Sequence, residues 1–286
     1  MKLKNLNALI TGGSQGLGKV IAEHFLREGA NIVLCARSEK ELAATRDELI
    51  GKFPGQKISA KTCDVASEAQ VNELVAFAKH ELCSVDALVL NAGVYGPMGP
   101  TESVSLEEWK RALDINLFGV LLPSRAVIPH FKAAGHGKIV VISGGGATNP
   151  MPNISAYAAS KAAVVRLMET LAEELKSFRV DVNAIAPGAL ATRLVDEVLA
   201  AGPEKVGAAF FEKNKNWKEK GAVSPELGAS LAVYLASAES NGITGKLISA
   251  QWDPWKELQA HHDELAKSDI YCLRRIVPED RGKKWS

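Results

Sequence analysis

The chain has 286 residues, 47% of them hydrophobic and 23% charged, with a net charge of +1. That is the profile of a globular protein with a sizeable core, built as one or two α/β domains. The near-neutral balance excludes nucleic acid or a membrane surface as a bulk electrostatic partner; with no leader pattern and no apolar run long enough to span a bilayer, a cytoplasmic protein is expected.

Leu6 to Ile10 reads as a first strand, followed by Thr11-Gly12-Gly13-Ser14-Gln15-Gly16-Leu17-Gly18 and a helix over Lys19 to Glu28. Strand, glycine turn and helix form the context of a dinucleotide fingerprint: the glycines let the backbone approach a pyrophosphate, and the helix start offers free N–H groups to it. The spacing is Gly-x-x-x-Gly-x-Gly through Gly12, Gly16 and Gly18. Asn31 to Ala36 is a second strand, ending Ala36-Arg37-Ser38 with no carboxylate before Glu39. A carboxylate there would bind the ribose hydroxyls of NAD, whereas Arg37 suits a 2′-phosphate, so NADP is expected as cofactor and NAD is less favoured.

A helix over Glu39 to Ile50, a strand over Ile58 to Cys63 ending at Asp64-Val65, and a helix over Glu68 to Glu81 follow. Val85 to Leu90 is the fourth strand, closed by Asn91-Ala92-Gly93, whose small residues admit a flat ligand. A helix runs from Leu106 through Asn116 to Val127; a lone buried amide such as Asn116 needs partners, either as a structural bridge or in a water chain. The fifth strand, Lys138 to Ile142, ends at Ser143, and the sixth, Arg179 to Ile185, ends at Pro187-Gly188. Between them Ser155 to about Phe178 reads as a helix carrying Tyr157 and Lys161 one turn apart, on one face, so that both side chains reach one small molecule. An ammonium beside a phenol lowers its pKa and fits it for proton transfer.

Residues 189 to 221 hold two short helical patterns split by Pro203, with Phe210, Phe211 and Trp217, and suggest either a flap over a site or ordinary helical packing. Pro225 to Ser237 is a helix and Gly245 to Ala250 a last strand. The alternation predicts a single doubly wound (Rossmann) parallel sheet of about seven strands with helices on both faces. Domain boundaries at 1–250, including the flap, and a C-terminal extension at 251–286 are expected, the extension packing on the domain or on a neighbouring subunit. Trp252 and Trp255 there wall the substrate pocket or pack elsewhere, and Glu257 to Lys267 reads as helical. His261-His262 belongs to no metal-ligand spacing. The four cysteines, Cys35, Cys63, Cys83 and Cys272, show no Cys-x-x-Cys spacing, and three of them read as buried free thiols.

Thr11-Gly12-x-x-x-Gly16-x-Gly18, Asp64-Val65, Asn91-Ala92-Gly93, Asn116, Ser143, Tyr157-x-x-x-Lys161 and Pro187-Gly188 with Thr192, in this order, resemble the short-chain dehydrogenase/reductases, in the compact type of the 3-oxoacyl-carrier-protein reductases. The resemblance covers residues 5 to about 250 and implies an oxidoreductase that moves a hydride between a nicotinamide cofactor and a carbonyl or secondary alcohol. It implies Tyr157 as general acid, Lys161 as the group that holds the nicotinamide ribose and lowers the pKa of Tyr157, Ser143 as partner of the substrate oxygen, and Asn116 as holder of a water. It also implies Gly12, Ser14, Gln15, Gly16, Leu17 and Gly18 around the pyrophosphate, Arg37 at the adenosine ribose, and Asp64 and Val65 at the adenine. Asn91, Ala92 and Gly93 would take the cofactor ribose side, and Thr192 with Pro187 and Gly188 the carboxamide. A homodimer or homotetramer is implied through the helices of Asn116 and Tyr157. One departure stands out: the family's serine lies thirteen positions before the tyrosine, where this chain has Gly144, so either Ser143 is shifted into place or Thr148 or Ser155 substitutes. An NAD-dependent polyol or sugar dehydrogenase, or a cofactor-binding sensor with little activity, remain the alternatives.

Overall fold

The computed structural model describes residues 1–285, the side chain of Lys220 aside. Seven strands alternate with helices: β1 (Asn7–Thr11), α1 (Gly16–Arg27), β2 (Asn31–Ala36), α2 (Glu39–Lys52), β3 (Ile58–Thr62), α3 (Glu68–Leu82) and β4 (Ala87–Leu90). Then come α4 (Leu106–Leu113), α5 (Gly119–Ala134), β5 (Gly137–Ile142), α6 (Ser155–Leu175), β6 (Val180–Ala186), α7 (Arg193–Ala201), α8 (Pro203–Val206), α9 (Ala208–Lys220), α10 (Pro225–Ala236), β7 (Leu247–Ser249) and α11 (His262–Lys267). All six pairings are parallel and the order is β3-β2-β1-β4-β5-β6-β7.

Period-two alternation inside the strands makes the two layers. Ile10, Leu34, Val89, Val140 and Ile185 point to one face, under α1, α2 and α10; Leu9, Val33, Leu88, Val141 and Val182 point to the other, under α3, α5 and α6. Strand order reverses between β1 and β4, so the loops that leave their C-terminal ends diverge and open a crevice. Both the glycine turn and Asn91-Ala92-Gly93 lie at that point.

Several expected boundaries move. The helix from Leu106 does not stop at Val127 but continues to Ala134 through Pro123 and Pro129, and a wide π-type turn at Asp114–Phe118 interrupts it. Leu106–Ala134 is therefore, by length and composition, a helical stretch long and apolar enough to cross a membrane, contrary to the sequence expectation; its Ile115, Val120, Val127 and Phe131 are spent on the core instead. The flap region forms three helices rather than two, with Pro203 at the first position of α8, where its missing N–H costs nothing. Of the cysteines only Cys35 and Cys63 are buried; Cys272 is half-buried and Cys83 is exposed in a left-handed turn that ends α3.

The extension packs on its own chain. Trp255, Leu258 and Leu265 join the core beneath α10, with the Trp255 ring 5.7 Å from that of Tyr234. Tyr271 O accepts from Leu247 N at 2.8 Å, so the tail covers the open edge of β7, an edge that would otherwise invite strand pairing. The expected helix over 257–267 is a tight turn at Trp255–His261 followed by α11.

Candidate active site

A cavity of about 1400 Å³ opens at the switch point. It is larger than the range of roughly 300–1,000 Å³ usual for a single small ligand, as a dinucleotide plus a substrate requires. Gly12, Ser14, Gln15, Gly16, Leu17, Arg37, Asp64, Val65, Asn91, Ala92, Gly93, Ser143, Tyr157, Lys161, Pro187, Gly188 and Thr192 all line it; Gly18 and Asn116 stand behind its wall.

The glycine turn is set by space as much as by torsion. Gly12 has φ +63, and a Cβ there would lie 2.9 Å from Ala92 Cα; a Cβ on Gly18 would lie 2.2 Å from Gly12 O. The side chain of Asn91 locks this turn, its Nδ2 donating to Thr11 O at 3.1 Å and Gly12 O at 3.0 Å. Its Nδ2 thus holds protein backbone, while the residue also lines the cavity. At the start of α1 Gln15 provides no side-chain cap and no acidic residue occupies the first turn, so the free N–H groups and the positive end of the helix dipole face the cavity without competition. These residues fit the pyrophosphate of a dinucleotide.

Beyond the end of β2, Arg37 is exposed, lines the cavity and makes no ion pair among the described residues. Asp64 is engaged by Arg111 and by Ala66 N. Burial pushes its carboxyl up, but those two donors, with the charges of Arg111 and Arg37, outweigh burial and hold it below the usual carboxylate range.

Tyr157 and Lys161 meet at the other end. Lys161 is 5% exposed and its Nζ donates to Ile142 O at 2.8 Å, 5.7 Å from the Tyr157 ring centroid. Removal from water pulls the Lys161 ammonium down to about 8. Tyr157 moves opposite to the sequence expectation: burial first, and the neighbouring Tyr95 second, push its phenol above its ordinary value. The ammonium is committed to Ile142 O, and it does not offset the lost solvation of the phenol.

Asn116 is fully buried in the middle of the π-type turn. Its Oδ1 accepts from Val94 N at 2.9 Å, and its Nδ2 donates to Val94 O at 2.8 Å and Ser160 Oγ at 2.9 Å. Both ends are therefore used as a bridge between the loop after β4 and α6; this is the bridge reading, and the π geometry is what turns the amide inward.

Ser143 lines the cavity wall, but its Oγ is sealed from solvent and has no hydrogen-bond partner among the described residues. What faces the phenol instead is Gly144, where a Cβ would come 2.3 Å from the Tyr157 oxygen. Thr148 lines the cavity and accepts from Asn149 Nδ2 at 3.0 Å, while Ser155 accepts from Trp109 Nε1 at 3.1 Å and lies outside the cavity wall. Phe210 and Trp217 of α9 and the exposed Trp252 also line the cavity. Tyr95, which the sequence reading passed over, stands beside them: it sits in an irregular loop with no period or spacing to mark it. Among the described residues no group of three or more His, Cys, Asp or Glu side chains gathers to hold a metal.

The family pattern described as "short chain dehydrogenase" matches residues 6–202. The chain belongs to the short-chain dehydrogenase family. It is 36% identical over 245 residues to the glucose 1-dehydrogenase of Gluconobacter oxydans, covering 84% of this chain and 88% of that protein. Among solved structures it is similar to a gluconate 5-dehydrogenase from Burkholderia cenocepacia in complex with NADP and tartrate, with TM-score 0.76, 29% identity, and coverage of 87% of this chain and 94% of that one. It is also similar to a 7α-hydroxysteroid dehydrogenase complexed with NADH and 7-oxo glycochenodeoxycholic acid, with TM-score 0.77, 31% identity, and coverage of 87% and 93%. As a short-chain dehydrogenase the protein is an NAD(P)-dependent oxidoreductase acting on CH–OH donors.

Proposed function

We propose that this short-chain dehydrogenase is an NADP-dependent carbonyl reductase or alcohol dehydrogenase for a partly hydrophobic, small to medium substrate, with Tyr157 as its general acid and base. The observation that carries this reading is that Tyr157 and Lys161 face the same cavity as the uncapped glycine turn at the strand-order switch. When bound, the reduced nicotinamide supplies the hydride; the protein orients and protonates. Tyr157, whose phenol keeps its proton at neutral pH, gives that proton to the carbonyl oxygen as the hydride reaches the carbon, which leaves a secondary alcohol and a phenolate. Lys161, poised near 8, stabilises the phenolate and stands next in line to return a proton.

Residues at the glycine turn and the start of α1 would hold the pyrophosphate, Asp64 and Val65 the adenine, Lys161 the ribose, and Thr192 with Pro187 and Gly188 the carboxamide. Arg37, free of any carboxylate partner among the described residues, supports the 2′-phosphate of NADP. Glu41 also lines the adenosine end and favours a second reading, an NAD-dependent polyol or sugar dehydrogenase. Phe210 and Trp217, on the cavity wall, support residues 189–221 as a closing flap and an apolar portion in the substrate. Small residues on α6, including the exposed Ala159, support pairing of two copies through that helix.

The test is a ketone panel with NADPH, run on the purified protein and on Tyr157→Phe. Loss of a general acid costs on the order of a hundredfold to ten-thousandfold in rate. Turnover in Tyr157→Phe near the parent rate would remove the proposed acid.

A further inference from the structure

The family's serine position is Gly144 in this chain, and the structure shows why no side chain stands there: the phenol oxygen of Tyr157 occupies the space a Cβ would take. The hydroxyl one residue earlier, on Ser143, is sealed in the wall without a partner. With those two positions set aside, the hydroxyls of Thr148 and Tyr95 remain on the cavity wall to serve as a second donor. Three observations converge on Tyr95. It lines the same cavity. Its ring stands edge-on to that of Tyr157, centroids 4.8 Å apart with 71° between planes, and edge-on to Phe210 at 6.3 Å. The residue before it, Val94, is held at both N–H and C=O by the buried amide of Asn116, whose Nδ2 also donates to Ser160 Oγ on the helix of Tyr157. One buried side chain therefore fixes the Tyr95 loop and the Tyr157 helix relative to each other, and that is the preorganisation a donor to a developing oxyanion needs.

We propose that Tyr95 is a second catalytic hydroxyl, donating to the substrate carbonyl oxygen opposite Tyr157 and doing the work for which the family uses the serine replaced by Gly144. The role is a hydrogen bond and moves no net proton: Tyr157 still delivers the proton, and the phenol of Tyr95 keeps its own. Burial first, and Glu197 second, push that phenol up to about 12, which suits a donor that is never meant to ionise. Its ring, wedged between Tyr157 and Phe210, at the same time sets the width of the substrate slot.

This inference rests on Tyr157 as the proton donor, and the experiment separates the two. Parent protein, Tyr157→Phe, Tyr95→Phe, Ser143→Ala and Thr148→Val are compared for kcat and KM on the best ketone of a panel, and for NADPH affinity by fluorescence. Tyr95→Phe keeps the ring and its packing, so a purely structural role leaves kcat unmoved. Removal of one oxyanion donor predicts a fall in kcat on the order of a hundredfold, with KM and NADPH affinity within about threefold of the parent. An active parent, an inactive Tyr157→Phe and a Tyr95→Phe within threefold of parent kcat overturn the role of Tyr95 alone. A larger loss in Ser143→Ala or Thr148→Val than in Tyr95→Phe reassigns the donor to that residue. No turnover in the parent, or full turnover in Tyr157→Phe, brings down both readings together.

Discussion

Replacing Lys161 with methionine should stabilise the fold while abolishing turnover. The ammonium is 5% exposed and has one protein partner, Ile142 O. Its fall from 10.5 to about 8 is a stability statement, because the folded state holds the charged form less well than the unfolded chain does. At about 1.4 kcal/mol per pH unit the penalty at pH 7 is roughly 3 kcal/mol. Methionine fills a similar volume without the charge but leaves the Ile142 carbonyl unpaired, which gives back about 1 kcal/mol or more. A net gain of roughly 2 kcal/mol at pH 7 is therefore expected. The pH dependence identifies the cause. Below about 8 both folded and unfolded lysine are charged and the penalty is complete. Between about 8 and 10.5 the unfolded chain binds the extra proton, so the parent gains stability as pH rises, and above 10.5 both forms are neutral and the penalty is gone. Urea unfolding of both proteins at pH 7 and pH 10 reads the difference, other titrating groups cancelling between them. A gap that favours the variant at pH 7 and closes towards pH 10 is the expected result. A gap of the same size at both values would mean that the lysine is not buried as a charge, and the reasoning from desolvation would fail.

Other expectations concern the cofactor. Gly18→Ala places a Cβ 2.2 Å from Gly12 O and 2.4 Å from Asn91 Nδ2, both fixed groups, so the glycine turn must deform. Overpacking of this kind costs about 1–3 kcal/mol, and dinucleotide affinity measured by fluorescence titration should fall at least tenfold; unchanged affinity would contradict the cradle. Arg37→Asp should reverse the ratio of NADPH to NADH affinity, by about tenfold or more from loss of a charge-assisted contact and gain of repulsion. An unchanged ratio would assign the choice to another residue, with Glu41 the first to examine.

The sheet was readable because most strands are short apolar runs closed by glycine, proline or a polar residue, β3 with its Ser59 and Lys61 and β6 with its Asp181 and Asn183 being the exceptions, and the helices between them leave no other pairing than a parallel one. Motif residues were readable from local constraints: Gly12 and Gly18 stand where nothing larger fits, and Tyr157 and Lys161 share a helical face. What escaped depends on tertiary context. The helix of Asn116 runs through two prolines, because its packing on α3 and α6 outweighs their local cost. The direction of the Tyr157 shift turns on how much water its neighbours exclude, and Tyr95, the neighbour that matters, lies in a loop without period. The bonds from Asn91 to the backbone carbonyls of Thr11 and Gly12 escaped too, since Thr11 is eighty residues away in sequence.

The central claim is that a hydride arrives at a carbonyl carbon while Tyr157 protonates its oxygen. Reduction of a ketone with NADPH deuterated at the transferable position, followed by mass spectrometry of the alcohol, measures both halves at once when parent and Tyr157→Phe are run side by side. The account predicts one deuterium on the carbinol carbon of the parent product, and a rate for Tyr157→Phe lower by at least about a hundredfold. An alcohol that carries no label, or labelled alcohol formed by Tyr157→Phe at the parent rate, would contradict it.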